Sequence, residues 1–275
     1  MSGRRIFNKL RKSGQRVFRH LWTIRYSCVN DPQKILDLEV DKYRSLGLDY
    51  SSGITKLKEM KGSELDLESI SSHLVLFASL SAAQIPIRDI LEIGTFKGET
   101  TNLLARLFPT ARITTVDLPV SDPIFSGSYR GARGTTAAKK TYETVLRQNV
   151  SPENVTFIES NTVFLLSTVS QQFDLIWLDG GHKYPEVAWD ACQAYWLCRP
   201  GGLIVFDDVI MHRRPVTTEK ISGASYEVLS YIEQRVSCKV THLLKRLAPQ
   251  YNSIDAQKKY ISVLQKSFNS QRTEK

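Results

Sequence analysis

The sequence of residues 88–118, RDILEIGTFKGETTNLLARLFPTARITTVDL, decides the fold. Its pattern predicts a buried parallel strand, a glycine turn, a helix and a second strand that ends on an acid. In order, these are residues 90–93, Gly94 with Gly98, residues 99–108, residues 112–116 and Asp117. A strand, a glycine turn, a helix and a strand in this order form the βαβ unit of nucleotide-binding sheets.

The spacing within this unit suits a nucleotide-like ligand. Glycines in the turn let a ligand approach the backbone, and the start of the helix offers free N–H groups. An acid about 20 residues beyond the turn can accept both hydroxyls of a ribose, as Asp117 could here. Phe96 stands where a dinucleotide fingerprint has its second glycine, which disfavours a bound pyrophosphate and an NAD-dependent dehydrogenase. An ordinary strand–helix turn of an α/β protein is the alternative.

EIGTFKGET followed by TVDLP resembles the first two motifs of class I S-adenosylmethionine (SAM) methyltransferases, especially the metal-dependent O-methyltransferases. The resemblance implies an α/β, Rossmann-like three-layer sandwich with a mostly parallel seven-stranded sheet. It implies that the glycine turn holds the methionine end of SAM, the acid holds the ribose, and residues after the next strands approach the adenine. The implied cofactor residues are Glu92, Gly94, Thr95, Gly98, Asp117, Leu118, Ser160, Asn161 and Asp179. Asn161 could equally cap the helix that is predicted for residues 162–170.

A second stretch, FDLIWLDGGHKYPEVAWDACQAYWLCRPGGLIVFDDV at residues 173–209, predicts two more buried strands around a helix. The strands are residues 173–178 and 203–206, the helix is residues 185–197, and a turn at 200–202 precedes the last strand. Parallel strands end at the same edge of a sheet, where ligands of open α/β sheets bind. Four polar side chains are therefore expected together: Asp179, His182, Asp207 and Asp208.

Three clustered carboxylates repel one another and usually need a cation to stay ionised. Hard oxygen ligands favour Mg²⁺, Mn²⁺ or Ca²⁺, and the lack of a close Cys/His set disfavours structural zinc. His182 is suited to proton transfer near neutral pH. The alternative is that Asp179 caps a helix, Asp207 and Asp208 are turn residues, and His182 is a surface histidine.

DGGHKYPEV followed by PGGLIVFDD resembles the DG-x-H-x-Y signature of bacterial methyltransferases that act on macrolide sugars and surface glycans. The resemblance implies Asp179, Asp207 and Asp208 as metal ligands, with Mg²⁺ as the expected ion, and His182 with Asp179 as catalytic residues. It implies a glycan or sugar-bearing small molecule as acceptor, with a catechol-like phenol as the alternative. Gly181 departs from the family, which usually has another Asp there.

The charge of the chain is concentrated at its start. Of the net charge of +9, residues 1–30 carry eight basic side chains and no acid, so the remainder is near neutral and does not suggest nucleic acid binding. Residues 1–27 also form a cationic amphipathic pattern, which predicts contact with an anionic membrane surface at the inner face. A solvated arm, docking on its own domain or on a second subunit of a homo-oligomer, and a targeting peptide are the alternatives.

The remaining pattern predicts a cytoplasmic protein whose four cysteines form no CxxC pair and whose apolar runs are too short to span a membrane. We expect a basic arm (residues 1–30), a helical cover (31–86), a SAM-binding methyltransferase domain (87–268) and a polar tail (269–275). In the cover, residues 31–46 and 63–84 read as helices and 47–62 as a loop. A loop at 121–136 carries Arg130 and Arg133, and strands at 238–244 and 260–266 close the sheet. A SAM-fold protein that binds without catalysis is the alternative to an enzyme.

Overall fold

The computed structural model describes residues 31–62, 65–66, 69–123, 136–211, 223–247 and 258–268. The expectations for the basic arm, for Arg130 and Arg133, and for the polar tail lie outside these residues. The helices are α1 (Pro32–Ser45), α2 (Tyr50–Lys61), α3 (Ser72–Ala82), α4 (Glu99–Leu107), α5 (Thr136–Asn149), α6 (Leu165–Thr168), which follows a 3₁₀ turn (Thr162–Phe164), α7 (Glu186–Leu197) and α8 (Ala224–Arg235). None of the helices in the described ranges is long and apolar enough to cross a membrane.

Within the described ranges, seven strands form one sheet. They are β1 (Asp89–Ile93), β2 (Arg112–Asp117), β3 (Val155–Glu159), β4 (Phe173–Leu178), β5 (Cys198–Val209), β6 (Cys238–Leu244) and β7 (Tyr260–Lys266). Their order is β3-β2-β1-β4-β5-β7-β6, with β1 to β5 parallel and β7 antiparallel to both of its neighbours. The predicted Rossmann-like, mostly parallel sheet is therefore confirmed. Its order changes direction between β1 and β4, where ligands of such sheets bind.

A helical layer covers each face of the sheet. On one face, α1 to α4 pack over a core that includes Tyr43, Leu57 and Trp177. On the other face, α6, α7 and α8 cover a core that includes Phe173 and Phe206. This arrangement leaves the carboxyl edge of the parallel strands between the two helical layers, and the predicted three-layer sandwich is confirmed.

The predicted loop at residues 47–62 is wrong, because most of it is helix α2. Asp49 caps this helix by accepting hydrogen bonds from the backbone N–H groups of Ser51 and Ser52, both at 3.1 Å. Gly53 lies where α2 packs against α3. A Cβ at that position would come within 2.8 Å of the Val75 carbonyl oxygen. The glycine therefore serves close helix packing.

The predicted helix at residues 63–84 is too long, since α3 begins only at Ser72. The Ser72 N–H donates to the Lys245 carbonyl oxygen at 2.8 Å, and its hydroxyl donates to the Leu244 carbonyl. These bonds tie the start of α3 to the end of β6. The predicted turn at 200–202 is also wrong, because β5 already begins at Cys198 and Gly201, with φ +80°, lies within it near a register shift against β4.

Candidate active site

The turn between β1 and α4 requires glycine at both predicted positions. Gly94 has φ +98°, and a Cβ there would lie 2.3 Å from the Asp179 carbonyl oxygen. Gly98 has φ +72° at the start of α4, and a Cβ there would lie 3.0 Å from the Cβ of Asn149. The turn is thus held close to the end of β4 on one side and to α5 on the other.

Glu92 lies fully buried under this turn. One of its carboxylate oxygens accepts hydrogen bonds from the hydroxyls of Thr101 and Thr115, the latter at 2.6 Å. The hydroxyl of Thr95 lies 2.6 Å from that of Thr115. Burial raises the pKa of Glu92 to about 8, against the hydrogen bonds of the two threonines. Its other oxygen, Oε1, has no hydrogen-bond partner among the described residues, so a donor group of a ligand would satisfy it.

Asp117 is fixed in orientation at the end of β2. Its Oδ2 accepts from the Phe96 N–H at 2.7 Å, and its Oδ1 accepts from the Leu118 N–H at 2.8 Å. Phe96 has φ +48°, and its ring lies 5.8 Å from that of Tyr142 in α5. The bulky side chain in the glycine turn therefore packs on a helix, while its backbone orients the acid that we predict to hold the ribose.

The predicted adenine residues lie beyond β2 and β3. Leu118 packs at the cluster formed by Tyr142 and Leu146 of α5. The Ser160 N–H donates to the Asp117 carbonyl at 2.9 Å. The Asn161 side chain accepts from the Val163 N–H at 2.9 Å and so caps the 3₁₀ turn, as the alternative interpretation expected. Contact of these residues with adenine stays a prediction.

Three of the four predicted polar residues meet at the ends of β4 and β5. Asp179 Oδ1 lies 3.5 Å from His182 Nε2. Asp179, His182 and Asp207 each offer a ligand atom within 4.8 Å of the other two. The pKa of Asp179 is raised to about 6, first by burial and then by the negative charge of Asp207.

Asp208 does not join this group, which corrects the expected set of four. Asp208 has φ +50° where the register of β5 against β7 is irregular, and it shares the partner Lys245 with Asp207. Its two carboxylate oxygens pair with Lys245 and Lys259, each at 2.5 Å. Although burial opposes the charged form, these lysines lower the pKa of Asp208. The structure thus places Asp208 in an ion-pair network beside the candidate site.

Lys245 is a site residue that the sequence did not reveal. It follows β6, and its Nζ lies 2.7 Å from each oxygen of Asp207, with hydrogen-bond geometry only at Oδ2. Burial raises the pKa of Asp207, but the charge and hydrogen bond of Lys245, together with the interaction with His73, lower it by more, so the net shift is downward. A lysine directly after the apolar strand residues Leu243 and Leu244 was the available signal.

His73 in the first turn of α3 was also missed. Its ring lies 4.9 Å from that of Trp177, and its Nδ1 lies 2.8 Å from the Ser71 hydroxyl. The interaction with His73 also contributes to lowering the pKa of Asp207. The helical cover therefore contributes a wall of the candidate site, although its sequence carries no recognisable motif.

The donor set fits a divalent cation. Two carboxylates and one imidazole converge, and the buried Oδ1 of Asp207 lies 2.7 Å from the Lys245 ammonium group without hydrogen-bond geometry to any described residue. The carboxylates suit Mg²⁺ and Mn²⁺, while the imidazole favours a transition metal such as Mn²⁺ over Mg²⁺. At Gly181, the departure from the family signature, a Cβ would lie 3.0 Å from the Glu186 Cβ, so the start of α7 leaves little room for an Asp.

Residues 91–209 match the model of a family described as a methyltransferase domain. The match spans most of β1 and all of β2 to β5 with the glycine turn, Asp117 and the acidic cluster, and it confirms the predicted enzyme class, a SAM-dependent methyltransferase. The cover helices α1 to α3 and the β6–β7 hairpin lie outside the match. A search of curated proteins found no match to this chain.

Several solved structures are similar to the chain. The O-methyltransferase TomG from Streptomyces achromogenes, solved with SAM, is 16% identical over 89% of this chain and 95% of its own, with a TM-score of 0.49. A putative O-methyltransferase from Klebsiella pneumoniae is 18% identical over 86% and 91%, with a TM-score of 0.46. An O-methyltransferase from Bacillus cereus with SAH is 18% identical over 78% and 91%, also at 0.46. Identities this low transfer no substrate to this chain.

Proposed function

We propose that this protein transfers the methyl group of SAM to a hydroxyl oxygen of a glycan or a sugar-bearing small molecule. One observation carries the proposal, namely the position of Asp179 between the glycine turn and His182. Its carbonyl oxygen adjoins Gly94 in the glycine turn, while its carboxylate lies 3.5 Å from His182. A methyl donor bound at the turn would therefore lie beside a group that can remove a proton.

The sulfonium methyl group of SAM is already activated. The protein therefore needs mainly to orient the acceptor hydroxyl toward the methyl group and to remove its proton. The acceptor oxygen attacks the methyl carbon, the carbon–sulfur bond breaks with its electrons returning to sulfur, and the hydroxyl proton passes to His182. The carboxylate of Asp179 orients the imidazole and stabilises the imidazolium that forms. Asp117 and Glu92 hold the cofactor from the opposite side.

A divalent cation is the finer part of the proposal. Asp179, His182 and Asp207 would hold it, and it would lower the pKa of the acceptor hydroxyl. An imidazole nitrogen that binds a cation cannot accept a proton at the same time. Transfer that persists in EDTA would therefore assign His182 to proton removal, whereas transfer that requires Mg²⁺ or Mn²⁺ would assign it to the metal.

The test is transfer of an isotope-labelled methyl group from SAM to a panel of sugars, glycans and catechols, with EDTA and with each metal. We expect His182→Gln to lower kcat by about 100-fold or more, since that is the contribution of a positioned acid or base, and to leave the affinity for S-adenosylhomocysteine (SAH) unchanged. Lys183→Gln, at the exposed neighbouring position, is the control. Full activity of His182→Gln would refute the assigned role, and methylation of catechols alone would replace the acceptor class.

A further inference from the structure

The two aspartates near the end of β5, Asp207 and Asp208, are neutralised from within the protein. Lys245 pairs with Asp207 at 2.7 Å and with Asp208 at 2.5 Å, and Lys259 pairs with Asp208 at 2.5 Å. Two negative and two positive side chains thus balance. Adjacent carboxylates at a buried sheet edge require such a counter-charge, and an ammonium group supplies it here.

The position of Lys245 is fixed by its backbone. Its N–H donates to the Lys259 carbonyl at 2.9 Å, and its own carbonyl accepts from the Ser72 N–H at 2.8 Å. Its side chain lies in the interior, with only 9% of the residue exposed. The backbone of Lys245 is therefore held by both the β6–β7 hairpin and the start of α3, which places its buried side chain beside the carboxylates.

The ion pairs with Lys245 and Lys259 leave Asp207 and Asp208 in different positions relative to Asp179 and His182. Both oxygens of Asp208 are engaged by lysines, which withdraws this residue from Asp179 and His182. Asp207 is engaged by Lys245 alone of the two lysines: its Oδ1 lies 2.7 Å from this ammonium group without hydrogen-bond geometry, and Asp207 remains within reach of Asp179 and His182. Lys245 and Lys259 both lie outside the segment that matches the methyltransferase domain model.

We propose that Lys245 is a positioning residue that serves as the built-in counter-cation of this acidic edge. It holds Asp207 toward Asp179 and His182, holds Asp208 away from them, and reduces the set of cation ligands from four side chains to three. The proposal rests on the acidic site of the proposed function, but it does not require that the protein transfers a methyl group. Its test therefore measures binding of Mn²⁺ to the full chain without SAM, by the electron paramagnetic resonance signal of free Mn²⁺.

Lys245→Met removes the counter-cation and keeps the apolar length of the side chain. We expect the variant to bind Mn²⁺ at least about tenfold more tightly than the unmodified protein, because affinity rises with the number of charged ligands. Adding Asp208→Asn should abolish this gain, because Asp208 is the carboxylate that is released. Lys266→Met is the matched control, since Lys266 is as buried, at 8% exposed, and donates to the carbonyls of Tyr195 and Cys198.

Circular dichroism and thermal unfolding establish that each variant is folded. Should Lys245→Met not fold, Lys245→Gln, which is uncharged and keeps a donor toward the carboxylates, takes its place. A folded Lys245 variant that binds Mn²⁺ no more tightly than the unmodified protein would overturn the proposal, as would a gain that survives Asp208→Asn. Failure of methyl transfer alone would count against the proposed function and leave the positioning role of Lys245 intact.

Discussion

Glu92 shows how burial sets the charge of a single residue at this site. Its carboxyl group lies under the glycine turn with two threonine donors and no cationic partner among the described residues, and its pKa is raised from the usual 4.5 to about 8. The folded protein therefore binds this proton more tightly than the unfolded chain does. Its stabilising contribution is complete below the usual pKa and is lost as the pH rises through the folded value.

This shift predicts a pH dependence of the free energy of unfolding. Between about pH 5 and about pH 8, Glu92 is protonated in the folded protein and ionised in the unfolded chain. The free energy of unfolding should therefore fall by about 1.4 kcal/mol for each unit that the pH rises. Glu92→Gln cannot lose a proton and should not show this decline. Urea unfolding of both proteins across this range checks the difference, with the exposed Glu153→Gln as control. Parallel curves for Glu92→Gln and the unmodified protein would contradict the assignment.

Single residues also show the limit of sequence reasoning at the site. Asp179, His182 and Asp207 could be predicted together because parallel strands end at one edge. The separation of Asp208 could not, because its partners are Lys245, directly after β6, and Lys259, directly before β7, and only the folded sheet brings them to it. The role of His73 could not be predicted for the same reason, since its place beside Trp177 depends on how α3 crosses the sheet.

Among the elements, the turn between β1 and α4 has the strictest steric requirement. Gly94→Ala would place a Cβ against the backbone of Asp179 at a left-handed φ. Gly47 has a similar φ of +74°, but a Cβ there would have no neighbour within 4 Å. Gly47→Ala should therefore cost only the conformational penalty, about 1 kcal/mol, whereas Gly94→Ala should cost more and also weaken SAH binding.

The measurement is urea unfolding of both variants, followed by calorimetric titration of SAH. Equal losses of stability, with SAH affinity unchanged in Gly94→Ala, would show that Asp179 does not pack against this turn as described. The comparison separates steric contact from backbone strain. Both glycines have a positive φ, but only at Gly94 would a Cβ contact the backbone of Asp179.

Secondary structure was most predictable where one signal dominated. The strands at Phe173–Leu178, Cys238–Leu244 and Tyr260–Lys266 have the predicted bounds, because apolar runs and closing hairpins are strong patterns. Helix α2 was predicted as a loop, and the structure explains its Gly53 by the close approach of α3. Helix α3 is shorter than predicted because Ser72 bonds to the end of β6, a contact that local sequence does not encode.

At the scale of the whole molecule, the candidate site is assembled from three parts of the chain. The segment at residues 91–209 supplies the glycine turn, Asp117 and the acidic cluster, and it matches a methyltransferase domain. The helical cover supplies His73, and the β6–β7 hairpin supplies Lys245. The matched segment thus carries the glycine turn, Asp117 and the acidic cluster, while His73 and Lys245 reach this cluster from parts that the match leaves out.

The central claim is that the carboxyl edge of β1 and β2 binds the methyl donor, and its most direct test is a calorimetric titration of SAH into the full chain. We predict saturable binding with a dissociation constant on the order of micromolar. Asp117→Ala should weaken it by at least about tenfold, since hydrogen bonds to a charged group contribute about 1.5–3 kcal/mol. Glu159→Ala, which removes the exposed carboxylate paired in register with Asp117 on β3, should leave binding unchanged. Absence of binding by the folded, unmodified protein, or equal binding by Asp117→Ala, would contradict the account.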